Sequence, residues 1–356
     1  MITFTNFLMN TYFIEKKRWF DFLEGNLDNY SIIAPFSYND ALIYEPLSLM
    51  NLDRAVFGIV RPVQPLKSFF FPFKERVVPE ILEQEKQTVI IGAANCDLSA
   101  LRILDSVFLN QEYKDPNYRA RRQNTTVVSI DCANPLSVCF CDAVGLKPYP
   151  DDGFDLNLSI MENGFFVDVG SKKGENLISN KDLFRPAKDI EIEERNKIRS
   201  RVGSTIVSYN ESFHLPRNIS EEFPENFASK IWEKIWQRCV QCGGCTSICP
   251  SCVCFFLEDT SNRERFIKNK IYDSCLLPGY ARMASGLSPR PLLWERYRNR
   301  FACKYSYIVS NYGRIGCTGC GRCIAGCPGK IDKRKVLRNI FLQKDEDVGY
   351  ESVKYL

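Results

Sequence analysis

Cys239-Val240-Gln241-Cys242-Gly243-Gly244-Cys245-Thr246-Ser247-Ile248-Cys249-Pro250 and Cys317-Thr318-Gly319-Cys320-Gly321-Arg322-Cys323-Ile324-Ala325-Gly326-Cys327-Pro328 share one spacing, Cys-x2-Cys-x2-Cys-x3-Cys-Pro. Thiolates at this spacing hold [4Fe–4S] cubanes. A chain that touches three corners of one cubane within seven residues must coil tightly around it. The proline ends that coil and sends the fourth sulfur elsewhere. In a two-cluster module the fourth cysteine ligates the other cluster. The spacing therefore predicts one [4Fe–4S] site from Cys239, Cys242, Cys245 and Cys327, and a second from Cys317, Cys320, Cys323 and Cys249.

Sixty-eight positions separate Cys249 from Cys317, so the predicted ferredoxin-like module, residues 229–332, carries a long insertion. The insertion contains Cys252, Cys254, Cys275 and Cys303 and a basic aromatic stretch, Trp294 to Arg300. Cys252, Cys254 and Cys275 are read chiefly as packing, with ligation the alternative, and Cys303 is left out of the ligand set. The basic stretch is expected to pack around the clusters or to face an acidic partner.

The 356 residues fit two to three domains of roughly 150 residues. The chain is 45% apolar and 13% aromatic, enough for buried cores. A net charge of +4, with both signs mixed along the sequence, lacks the basic stripe of a nucleic-acid-binding protein. The longest apolar runs fall far short of the ~20 residues that span a bilayer. Lys16, Lys17 and Arg18 follow the apolar N-terminal stretch, the reverse of a signal peptide, so a cytoplasmic location is expected. Sixteen cysteines in a chain of this size then indicate metal or redox chemistry rather than disulfides. His214 is the single histidine and reads as a loop residue, which leaves little for acid–base or zinc chemistry.

Ahead of the module, residues 1–190 read as an α/β domain, giving an α+β fold class overall. An amphipathic helix opens it and leads to a strand at Ser31–Pro35. Two buried-type strands, 88–93 and 126–130, end just before Cys96-Asp97 and Asp131-Cys132. Leu98, Leu101, Leu104, Val107 and Phe108 recur at helical spacing, with Asp97 as the expected N-cap. A polar loop is expected around Asp115-Pro116, and a hairpin around Glu162-Asn163-Gly164. Residues 191–228 read as a helical connector. Ile231, Trp232, Ile235 and Trp236 form an apolar stripe under the first cysteine run, and residues 333–356 form a C-terminal tail, basic and helical over Lys333 to Gln343.

Ligands of open α/β sheets gather beyond the carboxyl ends of the strands. Cys96 and Cys132 lie there, with Cys139-Phe140-Cys141 just downstream. Cys96, Cys132, Cys139 and Cys141 are thus candidates for a third [4Fe–4S] cluster, with a zinc site or buried free thiols as the alternatives. Neither a P-loop nor a Gly-x-Gly-x-x-Gly motif is present, so no flavin or nicotinamide site is visible.

The ordered series Arg238-Cys239 to Cys254, Tyr272-Asp273-Ser274-Cys275, Arg296-Tyr297-Arg298 and Gly316 to Cys323 resembles the β subunit of cytosolic NAD(P)-linked nickel–iron hydrogenases (sulfhydrogenases). It is similar also to the related iron–sulfur subunit of anaerobic sulfite reductase. Asn95-Cys96-Asp97-Leu98, Asp115 to Arg122 and Cys139-Phe140-Cys141 extend the resemblance over nearly the whole chain. The resemblance implies a non-catalytic iron–sulfur electron-transfer subunit of an anaerobic oxidoreductase complex. Its partners would be a flavin/NAD(P)-binding reductase subunit and a catalytic metalloenzyme subunit, without nucleic acid or a membrane span. The alternative is a self-sufficient iron–sulfur oxidoreductase that binds a substrate or flavin in its N-terminal domain.

Overall fold

The computed structural model describes residues 10–39, 41–78, 86–179, 181–216, 218–261 and 265–350. Most of the apolar N-terminal stretch, residues 1–9, and the end of the expected tail, residues 351–356, lie outside them.

Eleven strands occur among the described residues: β1 (Thr11–Glu15), β2 (Ser31–Tyr38), β3 (Ala41–Pro46), β4 (Lys74–Val78), β5 (Thr88–Ala93), β6 (Thr125–Ile130), β7 (Leu156–Ile160), β8 (Gly164–Val169), β9 (Arg185–Pro186), β10 (Phe255–Ser261) and β11 (Phe266–Tyr272). Eight form one mixed sheet in the order β3-β2-β5-β6-β7-β8-β1-β9. Its centre, β2-β5-β6-β7, is parallel, and the remaining pairs are antiparallel. Strand alternation builds a core on each face. Val89, Ile91, Val128 and Ile130 meet Trp19, Phe22 and Leu23 of the helix Lys16–Asn26 on one side. Ile90, Ala93 and Val127 meet Leu98, Leu101, Leu104 and Phe108 of the helix Asn95–Phe108 on the other. The expected strands and the β7–β8 hairpin are present, and the opening helix is preceded by a strand, β1.

One local expectation changes, and two elements are added. Ala94, not Asp97, occupies the N-cap of the helix Asn95–Phe108. Asp97 lies in its first turn, where the carboxylate accepts a hydrogen bond from Leu66 N–H and pairs with Arg322. The expected polar loop runs to Asp115, and there the helix Pro116–Asn124 begins, because Asp115 accepts from Tyr118 N–H at 2.9 Å and Pro116 fits the first helical position. The insertion contains a hairpin, β10–β11, and β4 completes it as a three-stranded antiparallel sheet. Its alternation is masked by exposed Phe255, Phe256 and Leu257.

The connector contains the helix Asp189–Asn210, which packs on the sheet through Arg195–Asp168 and Arg199–Asp131 at 2.9 and 2.7 Å. His214 sits in a loop after it. Beyond the connector, Trp232, Ile235, Tyr297 and Phe301 share one core with Val336, Leu337 and Ile340 of the helix Lys333–Leu342. Val138, Phe140 and Val144 from the N-terminal half enter this same core. The two halves are thereby joined where the cysteine runs lie.

Candidate metal centre

The two runs fold alike. Gln241 and Gly319, each one residue before the second cysteine, have φ of 55° and 60°. Gly243 and Gly321, each one residue after it, both have φ of 70° and open one-turn helices, Gly244–Ser247 and Arg322–Ala325. These two helices pack on each other. The left-handed residues supply the tight coil that the spacing demands. A Cβ at Gly319 would lie 2.5 Å from the Cys141 backbone, and one at Gly321 would lie 2.5 Å from Val138 O. The Val138–Cys141 loop therefore seats directly on the second run. These glycines allow close packing, and Gly319 N–H points at Cys317 Sγ at 3.5 Å.

The thiols group in the crossed pattern. Burial raises Cys317 and Cys323, the latter to about 12, and Cys249 adds repulsion to both. Cys320 is held down to about 6 mainly by a hydrogen bond from the Cys96 thiol, with Arg322 and Arg61 assisting against burial and against Cys249. Cys249, the last cysteine of the first run, thus stands among the first three cysteines of the second. Cys239, raised by burial, has Cys245 and Cys327 among its neighbours, the reciprocal arrangement. Cys242 is the one cysteine of the sixteen exposed to solvent.

The four N-terminal cysteines collect around the second run. Cys96 meets Cys320 through sulfur, and Cys139 Sγ lies 3.8 Å from Cys320 O. Burial raises Cys132 to about 12, with Cys139 adding to the shift, and burial also raises Cys141, with Cys139 and Cys132 adding. The connector fixes this loop, since Asn210 Nδ2 donates to Cys139 O at 3.0 Å and to Asp142 at 2.9 Å.

Several buried cations face these sulfurs. Arg300 donates to Cys245 O, and Lys304 donates to Ser251 Oγ at 2.8 Å. Lys67 donates to Cys252 O at 2.9 Å, and Lys333 donates to the Tyr297 hydroxyl at 3.1 Å. All four are at most 5% exposed, and none pairs with a carboxylate among the described residues. Burial pulls Lys304 and Arg300 down, but neighbouring cysteines outweigh it and leave both raised. A buried cation without a counter-charge is costly, so this environment requires anions. Arg300 Nε, both terminal nitrogens of Arg61 and Thr318 Oγ1 are buried without a hydrogen-bond partner. Thiolate-held cubanes, which bring negative charge and acceptor sulfides, fit that set.

Residues 238–331 match the 4Fe-4S dicluster domain family. The chain is 31% identical over 318 residues to sulfhydrogenase 2 subunit beta of Pyrococcus furiosus, a match covering 87% of this chain and 92% of that protein. The chain belongs to the sulfhydrogenase beta-subunit family. No solved structure matches it. As a member of that family with a dicluster domain, it is an iron–sulfur subunit of the electron-transfer class. No helix among the described residues is long and apolar enough to cross a membrane.

Sequence reading of this beta-subunit chain missed part of the charge around the sulfurs. Arg300 fell within the basic aromatic stretch, whose Arg296 and Arg300 are buried, Arg300 against Cys245 O and Arg296 against Leu276 O and Gln241. Arg61 and Lys67 carry no local signal. They reach the site because a loop between β3 and β4 crosses under both runs, where Arg61 Nε donates to Cys320 O at 2.6 Å.

Proposed function

We propose that this chain relays electrons between a flavin/NAD(P)-binding reductase subunit and a catalytic metalloenzyme subunit of hydrogenase or sulfite reductase type. The observation that carries the reading is the crossed grouping of the two cysteine runs, with Cys249 among Cys317, Cys320 and Cys323 and Cys327 beside Cys239. Cys239, Cys242, Cys245 and Cys327 would hold one [4Fe–4S] cluster. Cys317, Cys320, Cys323 and Cys249 would hold another, and Cys96, Cys132, Cys139 and Cys141 a third. A cubane, when bound, accepts and passes on one electron at a potential set by local charge, hydrogen bonds and exposure.

The protein's own groups serve that purpose. Arg300, Lys304 and Lys333 place positive charge at the sulfurs, and the shared core around Trp232, Tyr297 and Phe301 excludes water. Exposed Cys242 puts the first site at the surface, where a partner can exchange electrons with it. The second and third sites lie inward, side by side through Cys96 and Cys320. A relay between two partners needs two accessible ends, and partly exposed Cys96 and Cys132 would give the inner sites a second approach.

Anaerobic copurification tests this. The chain is expected to bring down a flavin protein and a nickel–iron or siroheme protein, and Cys320→Ser is expected to stop electron flow without dissolving the complex. Isolation of the chain alone, with turnover of a substrate unaided, would contradict the relay.

A further inference from the structure

The insertion holds a second group of four cysteines. Cys252, Cys254, Cys275 and Cys303 line one cavity of about 200 Å³, together with Arg300 and Lys304. Three separate elements deliver them. Cys252 and Cys254 follow the first run directly, and Cys275 follows β11. Cys303 opens a single π-helical turn, Cys303–Tyr307, set between the helices Leu293–Ala302 and Ile308–Tyr312. Such turns are rare and concentrate at functional sites. Here the turn carries Cys303 and Lys304 to the cavity wall. Cys254 and Cys275 touch through sulfur, and Cys252 touches Cys249 of the second site in the same way.

The geometry points to a further [4Fe–4S] cluster held in this cavity by Cys252, Cys254, Cys275 and Cys303. The size of the cavity, rather than the spacing of its sulfurs, favours a cubane over a single ion. Zinc bound by thiolates at about 2.3 Å would need all four sulfurs within about 3.8 Å of one another, whereas of the four it is Cys254 and Cys275 that touch. Among the described residues no three Cys, His, Asp or Glu side chains stand close enough to share one ion. The charge is also right, because Arg300 and Lys304 face the cavity buried and without carboxylates. With the twelve cysteines of the relay, these four account for all sixteen in the chain. The site stands on its own residues, although its contact through Cys252 sets it beside the second site of the relay.

The test is metal analysis of the full-length chain, purified anaerobically, as wild type and as the Cys254→Ser/Cys275→Ser double variant. The double variant is expected to lose about four irons and four sulfides per chain and to keep the EPR signals of the two ferredoxin-type sites. An unchanged iron content, or one zinc per chain released by the double substitution, would overturn the assignment. If the double variant does not fold, Cys303→Ser supplies the same readout, with loss of about four irons expected and none contradicting. Failure of the relay would show differently, as wild-type protein without the ferredoxin-type EPR signals.

Discussion

The sheet domain and the cysteine-rich half neutralise their inward-facing cations by different means. In the sheet domain Arg195 and Arg199 meet Asp168 and Asp131, and Arg122 meets Asp105, while Lys270 of the insertion sits between Glu75 and Asp115 of the N-terminal half. Around the cysteine runs, Lys67, Arg300, Lys304 and Lys333 have carbonyls, hydroxyls and sulfurs instead. One half is electrostatically complete as protein. The other lacks carboxylates for these four cations among the described residues, so its stability is expected to depend on metal bound by its thiolates. The Asp97–Arg322 pair joins the two, with a carboxylate from the helix after β5 and a guanidinium from inside the second run.

Stripping iron with a chelator should give the largest effect. Amide exchange in the helix Leu293–Ala302 is expected to lose protection by orders of magnitude, while β5 and β6 stay protected. Equal loss in both halves would break the contrast. Next in size is Asp97→Asn, which leaves Arg322 buried without its anion. A cost of about 3–5 kcal/mol is expected in denaturant unfolding, and a cost under about 1 kcal/mol would mean that cluster sulfur already neutralises Arg322. Gly319→Ala forces a Cβ into the Cys141 backbone at a left-handed position. It should cost about 1–3 kcal/mol and loosen the Cys139–Cys141 loop, seen as faster thiol alkylation there. Arg300→Gln removes a cation beside the sulfurs, so at least one cluster potential should fall by tens of millivolts in an EPR-monitored titration with iron content retained. The smallest effect belongs to Lys74→Ala, since Lys74 and Glu258 form an exposed pair at 3.1 Å. Unfolding should shift by about 0.5 kcal/mol or less.

Much of this was legible in the residues. The strands at 88–93 and 125–130 announce themselves because buried parallel strands are continuously apolar, and the two runs because cubane ligation fixes local spacing. The Asp97 cap was misread since its partner, Arg322, is 225 positions away, and local patterns carry no information about such a contact. Arg61 and Lys67 were invisible for the same reason. The π-helical turn at Cys303 has no sequence signature, so a cysteine read as outside the ligand set turns out to line a cavity with three others. The β10–β11 hairpin was hidden because its strands leave large apolar side chains in solvent.

The crossed grouping of the two runs is tested most directly by stepwise reduction of the anaerobically purified chain, followed by EPR in wild type and in Cys249→Ser. The wild type should show at least two [4Fe–4S] signals. The variant should alter the signal that Cys320→Ser also alters, and leave the one that responds to Cys242→Ser. A Cys249→Ser spectrum changed in the Cys242-dependent signal instead, or a wild-type chain carrying zinc and no reducible cluster, would contradict it.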